Sequence, residues 1–321
     1  MSTSERYRRF AQLEAHGESD CYEAWALGVA RDPQLLNLLD DLPPGKRQPN
    51  LLFAAARYLG VPPTDFVEFR ATLLARWPTV RTTMLERRTQ TNEPGRCAVL
   101  LPVLAAFPQP LALLEVGASA GLCLYPDKFS YQYGGQPRLD PATGPGAAIL
   151  NCEISGPVPL PTRLPEIAWR GGIDLNPLEV TNREDMRWLE SLVWPEQQDR
   201  RARLTAAIEV ARRDPPRLAA GDLNQRIEQL AAEAPLDATL VIFHSAVLAY
   251  LDQQERTDFI TKMTTFDGHW VSNESPAAVP LANVVTMPPS PEPDKALFVV
   301  ACDGKPLAYS GAHGQSLHWM G

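Results

Sequence analysis

The sequence has little of what marks several large classes of protein. Its five cysteines are an odd number without paired spacing, so neither a zinc or other metal site nor a disulfide framework is expected. Basic residues form no run longer than scattered pairs and the net charge is -8, which argues against nucleic acid and anionic membranes as partners. No apolar run is long enough to cross a bilayer or typical of a signal peptide. We therefore expect a cytoplasmic protein, and the oligomeric state stays open.

The first third of the chain has the pattern of helices. Residues 1–107 show apolar side chains at helical spacing and no convincing strand. Polar residues precede four apolar stretches in the manner of N-caps: Asp20, Asp32, Asn50, and Thr64 or Asp65. We predict a helical N-terminal cap or lid region over this range.

From residue 108 to residue 321, short apolar runs alternate with helical segments. The predicted strands are "LALLEV", "IAWRGGIDL", "RLAAGD", "ATLVIFH" and "HWVSNE", followed by a hairpin that turns at Asp303-Gly304. This order predicts an α/β fold, a Rossmann-like domain with a mostly parallel sheet and an antiparallel C-terminal hairpin. Residues at about 131–165 interrupt this alternation of strands and helices. Rich in Gly and Pro around one strand-like run, they are expected to form an insertion on the side of the sheet where a cofactor would bind.

The stretch "LLEVGASAGL" follows two different patterns. Gly117-Ala118-Ser119-Ala120-Gly121 matches Gly-x-Ser-x-Gly, the elbow that presents a hydrolase serine. The same glycines, placed after Glu115, also suit a turn that lets a nucleoside cofactor approach a strand end and a following helix. The hydrolase pattern expects several earlier strands, whereas this strand is the first one predicted.

Acidic or polar residues stand at the successive strand ends. Besides Glu115 and Gly117, these are Asp174, Asp222, His244-Ser245 and Asn273-Glu274. The carboxyl ends of parallel strands meet at one edge, so we expect these groups around one crevice. Asp174 would suit a ribose diol, because a carboxylate accepts two hydroxyl hydrogen bonds. Asp174 and Asp222 could instead cap helices, Glu115 could bridge buried backbone groups in its strand, and His244 could be a core histidine.

The order of "LLEVGASAG", "GGIDLNP", "AAGD" and "LVIFHSAVLAYL" resembles the motifs of class I S-adenosylmethionine-dependent methyltransferases over about the last two thirds of the chain. The strings "RRTQTNEPGRCAVLLP", "EVGASAGL", "GIDLNP", "WLESLVWPEQ" and "FHSAVLAYL" also resemble a bacterial family of uncharacterised proteins, a domain of unknown function. The methyltransferase resemblance implies that the turn from Glu115 through Gly117, Ala118, Ser119 and Gly121 binds the methionine end of the cofactor. It further implies that Asp174 binds the ribose, that Asp222 lies beside the adenine, and that His244 faces the substrate.

The polar string "RRTQTNEPGR" precedes an apolar helix. As a lid, it would offer Arg88, Gln90 and Asn92 as donors to a substrate carboxylate or phosphate. As an N-cap loop, it would use Thr91 or Asn92 as the cap.

We expect an S-adenosylmethionine-dependent methyltransferase that acts on a small molecule, with His244 or Glu274 as a base where the acceptor needs one. Two alternatives stay open. The chain could be a non-catalytic methyltransferase-like module that binds a ligand or a protein. It could also be a serine hydrolase that combines Ser119 with Asp174 or Asp222 and His313.

Overall fold

The computed structural model describes residues 1–90, 92–278, 289–292 and 295–320. The chain divides into two compact units, of which the first comprises residues 1–91 and 182–201 and the second comprises residues 92–181 and 202–321. This division differs in two respects from the predicted boundary after residue 107. Residues 92–107 belong to the second unit, and residues 182–201 belong to the first.

Eleven α-helices lie within the described residues. They are α1 (Thr3–Phe10), α2 (Asp20–Val29), α3 (Pro33–Asp40), α4 (Pro49–Tyr58), α5 (Phe66–Ala75), α6 (Trp77–Glu86), α7 (Cys97–Leu104), α8 (Arg183–Leu192), α9 (Gln198–Arg213), α10 (Leu223–Ala231) and α11 (Gln253–Thr264). The predicted caps Asp32 and Asp65 are confirmed, because their side chains accept hydrogen bonds from the first turns of α3 and α5. The cap of α2 is Ser19 instead of Asp20. Helix α4 begins at Pro49, so Asn50 lies inside it.

The first unit packs its helices around buried aromatic rings. Trp25 stacks on Phe69 with 3.9 Å between ring centroids, and its indole N–H donates to the Thr64 carbonyl at 2.8 Å. Phe53 contacts the edge of the same indole. Aromatic side chains bury large apolar areas, and the indole here has a partner for its single polar group.

The second unit is built on one sheet of ten strands. They are β1 (Leu111–Val116), β2 (Ser130–Tyr133), β3 (Ile149–Ser155), β4 (Ile167–Asp174), β5 (Arg217–Ala220), β6 (Thr239–Ser245), β7 (His269–Glu274), β8 (Leu297–Cys302), β9 (Lys305–Gly311) and β10 (Ser316–Trp319). Their order across the sheet is β2-β3-β10-β9-β8-β7-β6-β1-β4-β5. Among the strand pairs within the described residues, β7–β8, β8–β9 and β9–β10 are antiparallel, and the others are parallel. The predicted α/β class with a mostly parallel sheet is therefore confirmed.

Apolar side chains line one face of the central strands. Leu114 and Ile242 pack with Ile227 of α10 and Phe259 of α11 in one buried cluster. Helix α7 is buried along its whole length, and the Tyr133 hydroxyl of β2 donates to the Ala98 carbonyl at 2.7 Å.

Two expectations about the sheet need correction. The segment at about 131–165 was expected on the cofactor side of the sheet, but β2 and β3 extend the far edge of the sheet beyond β10. The C-terminal segment forms three strands instead of two, because β10 pairs with both β9 and β3. Short polar edge strands such as β2 carry too little apolar alternation to be read from sequence.

Strand order reverses between β1 and β6. The chain proceeds from β1 to β4 and β5 on one side, and then returns to β6 and β7 on the other side of β1. In open α/β sheets, ligands bind outside the carboxyl ends of the strands at such a reversal. Within the described residues, no helix is long and apolar enough to cross a membrane.

Candidate functional site

The turn after β1 has three residues in the left-handed region of backbone space. Gly117 and Gly121 have φ of 71°, and Ser119 has φ of 53°. Such values suit glycine but cost a serine energy. The described residues contain only two other non-glycine residues with positive φ, and one of them, Ala246 at 59°, follows β6. Backbone strain therefore occurs on both sides of the strand reversal.

The structure brings Asp174 against this turn. The backbone N–H groups of Gly117 and Ala118 donate to the Ile173 carbonyl at 2.8 and 3.0 Å. Asp174 Oδ2 accepts a hydrogen bond from the Ser119 N–H at 2.9 Å, and Oδ1 accepts one from the Asn176 N–H at 2.8 Å. One carboxylate thus holds the turns after β1 and β4 together, as the crevice expectation requires.

The space beside the two glycines is occupied by other side chains of the chain. A Cβ atom built on Gly117 would overlap Val247 Cγ2, and one built on Gly121 would lie 2.8 Å from Pro216 Cγ. Both glycines are therefore needed for the packing of the turn itself, whatever else they do.

The expectation of an α-helix after the glycine turn is wrong. The turn leads into a buried 3-10 helix, Leu122–Leu124, and Pro126 then begins a second short one. Proline lacks the N–H that a continuing helix would need. A helix N-terminus is consequently not available here to bind an anionic group.

Glu115 lies at the end of β1 and is only 4% exposed. Its Oε2 atom accepts no hydrogen bond in the structure. Burial, with a smaller contribution from the neighbouring Cys123, raises the pKa of this carboxyl group well above its usual value, against the opposing charge of Arg96. Glu115 is therefore a buried carboxyl group whose protonated form is favoured by its surroundings and whose Oε2 atom has no hydrogen-bond partner among the described residues.

The segment Asn92–Arg96 holds the turn after β1 in place through hydrogen bonds. Asn92 Oδ1 accepts a hydrogen bond from the Leu122 N–H at 2.9 Å. Glu93 Oε1 accepts from the Gly95 N–H at 3.0 Å, and the buried Arg96 donates to the carbonyls of Ser245 and Ala312, each at 3.1 Å. Asn92 was predicted to contact substrate, but its side chain is 8% exposed and holds the turn after β1. Thr91, the other predicted cap, lies outside the described residues.

Arg88 and Gln90, the other two predicted lid residues, belong to the first unit. The Arg88 side chain is exposed, while its carbonyl accepts a hydrogen bond from Trp188 Nε1 at 2.9 Å. Gln90 is half-buried.

His244 and Glu274 form a buried network, and both have 0% exposure. Trp270 Nε1 donates to His244 Nε2 at 3.0 Å, which places the imidazole proton on Nδ1, 2.7 Å from Glu274 Oε1. The same oxygen accepts the N–H groups of Val247 at 2.8 Å and Leu248 at 3.2 Å. Both nitrogens of His244 are thus engaged within the protein, and Glu274 fixes the turn after β6.

Asp222 does not end a strand. Strand β5 stops at Ala220, and Asp222 is the N-cap of α10, where its side chain accepts from the Gln225 N–H at 3.2 Å. The neighbouring Gly221 N–H donates to the Asp174 carbonyl at 2.9 Å, so Asp222 still lies next to the β4 end.

Ser119 is 2% exposed. Its backbone N–H binds the carboxylate of Asp174, one of the two acids that a hydrolase triad would assign to a histidine.

Sequence reasoning missed four residues that shape this site: Glu93, Arg96, Val247 and Trp270. Glu93 and Arg96 belong to the polar string "RRTQTNEPGR". The density of polar residues in this string was the signal that could have identified them. Val247 and Trp270 look like ordinary apolar residues, and nothing local in the sequence marks their contacts.

Residues 4–319 of the chain match the sequence model of the DUF2332 family, which is described as "Uncharacterized protein conserved in bacteria". No protein of curated function matches the sequence.

Proposed function

Since the chain belongs to this DUF2332 family, whose description names no reaction, we propose its function from the site: the chain is an S-adenosylmethionine-dependent methyltransferase with a Rossmann-like sheet, and it acts on a small molecule. The proposed cofactor site is the edge formed by the turns after β1, β4 and β6.

The contact between Asp174 and the turn after β1 carries the proposal. Asp174 Oδ2 accepts the Ser119 N–H at 2.9 Å, beside the point where strand order reverses. A carboxylate is an acceptor group, and one that ends a strand at this reversal is placed where the hydroxyls of a ribose would donate to it. The strained backbone at Ser119 and Ala246 supports the same location, because strain is concentrated at functional sites.

Two exposed apolar side chains at the same edge give further support. Leu175, directly after Asp174, is 62% exposed, and Tyr250, in the segment after β6, is 72% exposed. Ligand sites are lined mainly by apolar and aromatic side chains with a few polar groups. Leu175 and Tyr250 suit a flat, largely apolar group such as an adenine ring.

The residues at the edge fit the two ends of the cofactor unequally. At the ribose end, Asp174 is half-buried. At the methionine end, the buried Glu115 Oε2 has no partner, which fits a donor such as an amino group. Val247, however, fills the space beside Gly117, so the methionine group must lie over the turn instead of against the Gly117 α-carbon.

S-adenosylmethionine supplies a methyl group on a sulfonium, and the protein has to orient the acceptor in line and exclude water. In this proposal Asp174 orients the ribose, and Glu115 binds the amino end. His244 and Glu274, predicted as bases, act as positioning residues, since they hold the backbone of Val247 and Leu248. The acceptor is then a group that needs no base from the enzyme, such as a neutral amine or a carboxylate.

Calorimetric titration with S-adenosylmethionine tests the proposal. We expect saturable binding by the wild type and at least tenfold weaker binding by Asp174→Asn, which removes the charge and one acceptor oxygen. The matched control is Asp32→Asn, because Asp32 also accepts two backbone N–H groups but lies in the first unit. A folded wild type that shows no binding at millimolar cofactor contradicts the proposal.

A non-catalytic ligand-binding module is the second candidate. The observation that favours it is the complete engagement of His244 by Trp270 and Glu274. Methyl-labelled S-adenosylmethionine, incubated with the protein and a mixture of small amines, thiols and carboxylates, distinguishes the two. Label in the acceptor pool supports transfer, whereas tight binding with no labelled product favours the module.

The serine hydrolase alternative has less support, since the Ser119 amide occupies Asp174 and the serine is buried. It predicts labelling of Ser119 by a fluorophosphonate probe, and we expect none.

A further inference from the structure

Three consecutive residues after α6, namely Arg87, Arg88 and Thr89, form hydrogen bonds with other segments of the first unit. Lys46 Nζ donates to the Arg87 carbonyl at 2.7 Å, and Trp188 Nε1 donates to the Arg88 carbonyl at 2.9 Å. The Thr89 hydroxyl donates to Gln48 Oε1 at 3.0 Å. The backbone at Arg88 is therefore held in place by side chains from two other segments.

The cations along this segment differ in their partners. Arg87 donates to Asp185 Oδ1 at 2.7 Å and lies over the rings of Tyr58 and Trp188. Lys46 and Arg88, in contrast, have no carboxylate partner within the described part of the chain. The Lys46 ammonium has three N–H donors, of which the structure uses one.

The Lys46 ammonium lies 2.7 Å from the carbonyl of the residue before Arg88, so the positive charges of Lys46 and Arg88 are neighbours. Lys46 is half-buried and Arg88 is exposed. Burial, and to a smaller degree the charge of Arg88, lowers the pKa of Lys46 from its usual value. An anion that binds both groups would remove this repulsion and use the idle donors.

We propose that Lys46 and Arg88 form a binding site on the first unit for the phosphate group of a small molecule. A phosphate matches two cations in charge and offers several acceptor oxygens, whereas a carboxylate carries a single charge. The sequence predicted Arg88 as a donor to a substrate carboxylate or phosphate together with Gln90 and Asn92; this proposal keeps Arg88, pairs it with Lys46 and favours phosphate. This site stands whether or not the chain transfers methyl groups.

Calorimetric titration with inorganic phosphate at low ionic strength tests the site, because salt screens exposed charges. We expect saturable phosphate binding that weakens at least fivefold in Lys46→Met and in Arg88→Gln. Arg81→Gln is the matched control, since Arg81 is an exposed arginine on α6, and it should bind within twofold of the wild type. Arg88→Gln removes no side-chain hydrogen bond or ion pair among the described residues, so it tests the site even if Lys46→Met is destabilised.

Acetate serves as the comparison anion and should bind at least fivefold more weakly than phosphate. The proposal is overturned if the wild type binds no phosphate, if Arg81→Gln loses as much affinity as Arg88→Gln, or if acetate binds as tightly as phosphate.

Discussion

The packing of Val247 against Gly117 makes a quantitative prediction about the turns that meet at the strand reversal. Gly117→Ala places a Cβ where Val247 Cγ2 lies, at a residue with φ of 71°. The left-handed conformation costs alanine about 1 kcal/mol, and overpacking adds about 1–3 kcal/mol. We expect Gly117→Ala to lower the free energy of unfolding by about 2–4 kcal/mol. Val247→Ala should cost about 1 kcal/mol, because the side chain is only partly buried.

The double variant Gly117→Ala/Val247→Ala separates the two causes. Removal of the valine methyl groups relieves the overlap but leaves the backbone strain. The double variant should therefore be about 1–3 kcal/mol more stable than the sum of the single effects predicts. Urea denaturation followed by circular dichroism gives all four free energies of unfolding. Single effects that add within about 0.5 kcal/mol would refute the contact between the two turns.

Three further predictions concern the same unit. Glu274→Ala removes the acceptor of three donors, His244 Nδ1 and the N–H groups of Val247 and Leu248, and should lower the free energy of unfolding by at least about 3 kcal/mol in urea denaturation. Glu274→Gln keeps an acceptor oxygen and should cost less. Equal losses in the two variants would contradict this role of Glu274. Glu115 has a folded-state pKa raised above its unfolded value of 4.5, so its stabilising effect is complete below pH 4.5 and declines as the pH rises. Glu115→Gln should accordingly gain stability relative to the wild type as the pH rises above 4.5, and a difference that stays constant with pH would count against a raised pKa of Glu115. Leu175→Ser should weaken S-adenosylmethionine binding without a change in the free energy of unfolding. The control is Leu236→Ser, at the fully exposed Leu236, which should change neither the affinity nor the stability. Equal affinities of the two variants would show that Leu175 is not part of the site.

The central strands could be predicted from sequence because their residues are buried on both faces. Strand β1 is "LALLEV" with every residue buried, and an apolar run of that length between turn signals has few other solutions. Strand β10 was missed because the signal in "SLHW" is short and its position depends on pairing with β3, more than 160 residues earlier in the chain. Pairing over that distance leaves no local pattern.

The location of Asp174 beside the glycine turn was predictable, because parallel strands that are neighbours in a sheet end at the same edge. The role of His244 was not. Its two nitrogens are engaged by Trp270 and Glu274, which lie 26 and 30 residues further along the chain. A histidine at the end of an apolar strand looks the same in sequence whether its partners are in the protein or in a ligand.

The membership of α8 in the first unit was also beyond sequence reasoning. The helix lies between two strands of the second unit in chain order, and its amphipathic pattern identifies a face to be buried but not the partner. The partner is chosen by tertiary contacts such as the one between Trp188 and the Arg88 carbonyl.

Hydrogen–deuterium exchange with and without S-adenosylmethionine tests the proposed cofactor site most directly. We expect slower exchange in two segments, residues 117–124 after β1 and residues 174–178 after β4, with little change in the amides of α2 and α5. Unchanged exchange in both segments at saturating cofactor, or protection confined to the helical unit, would contradict the assignment of this edge as the nucleoside site.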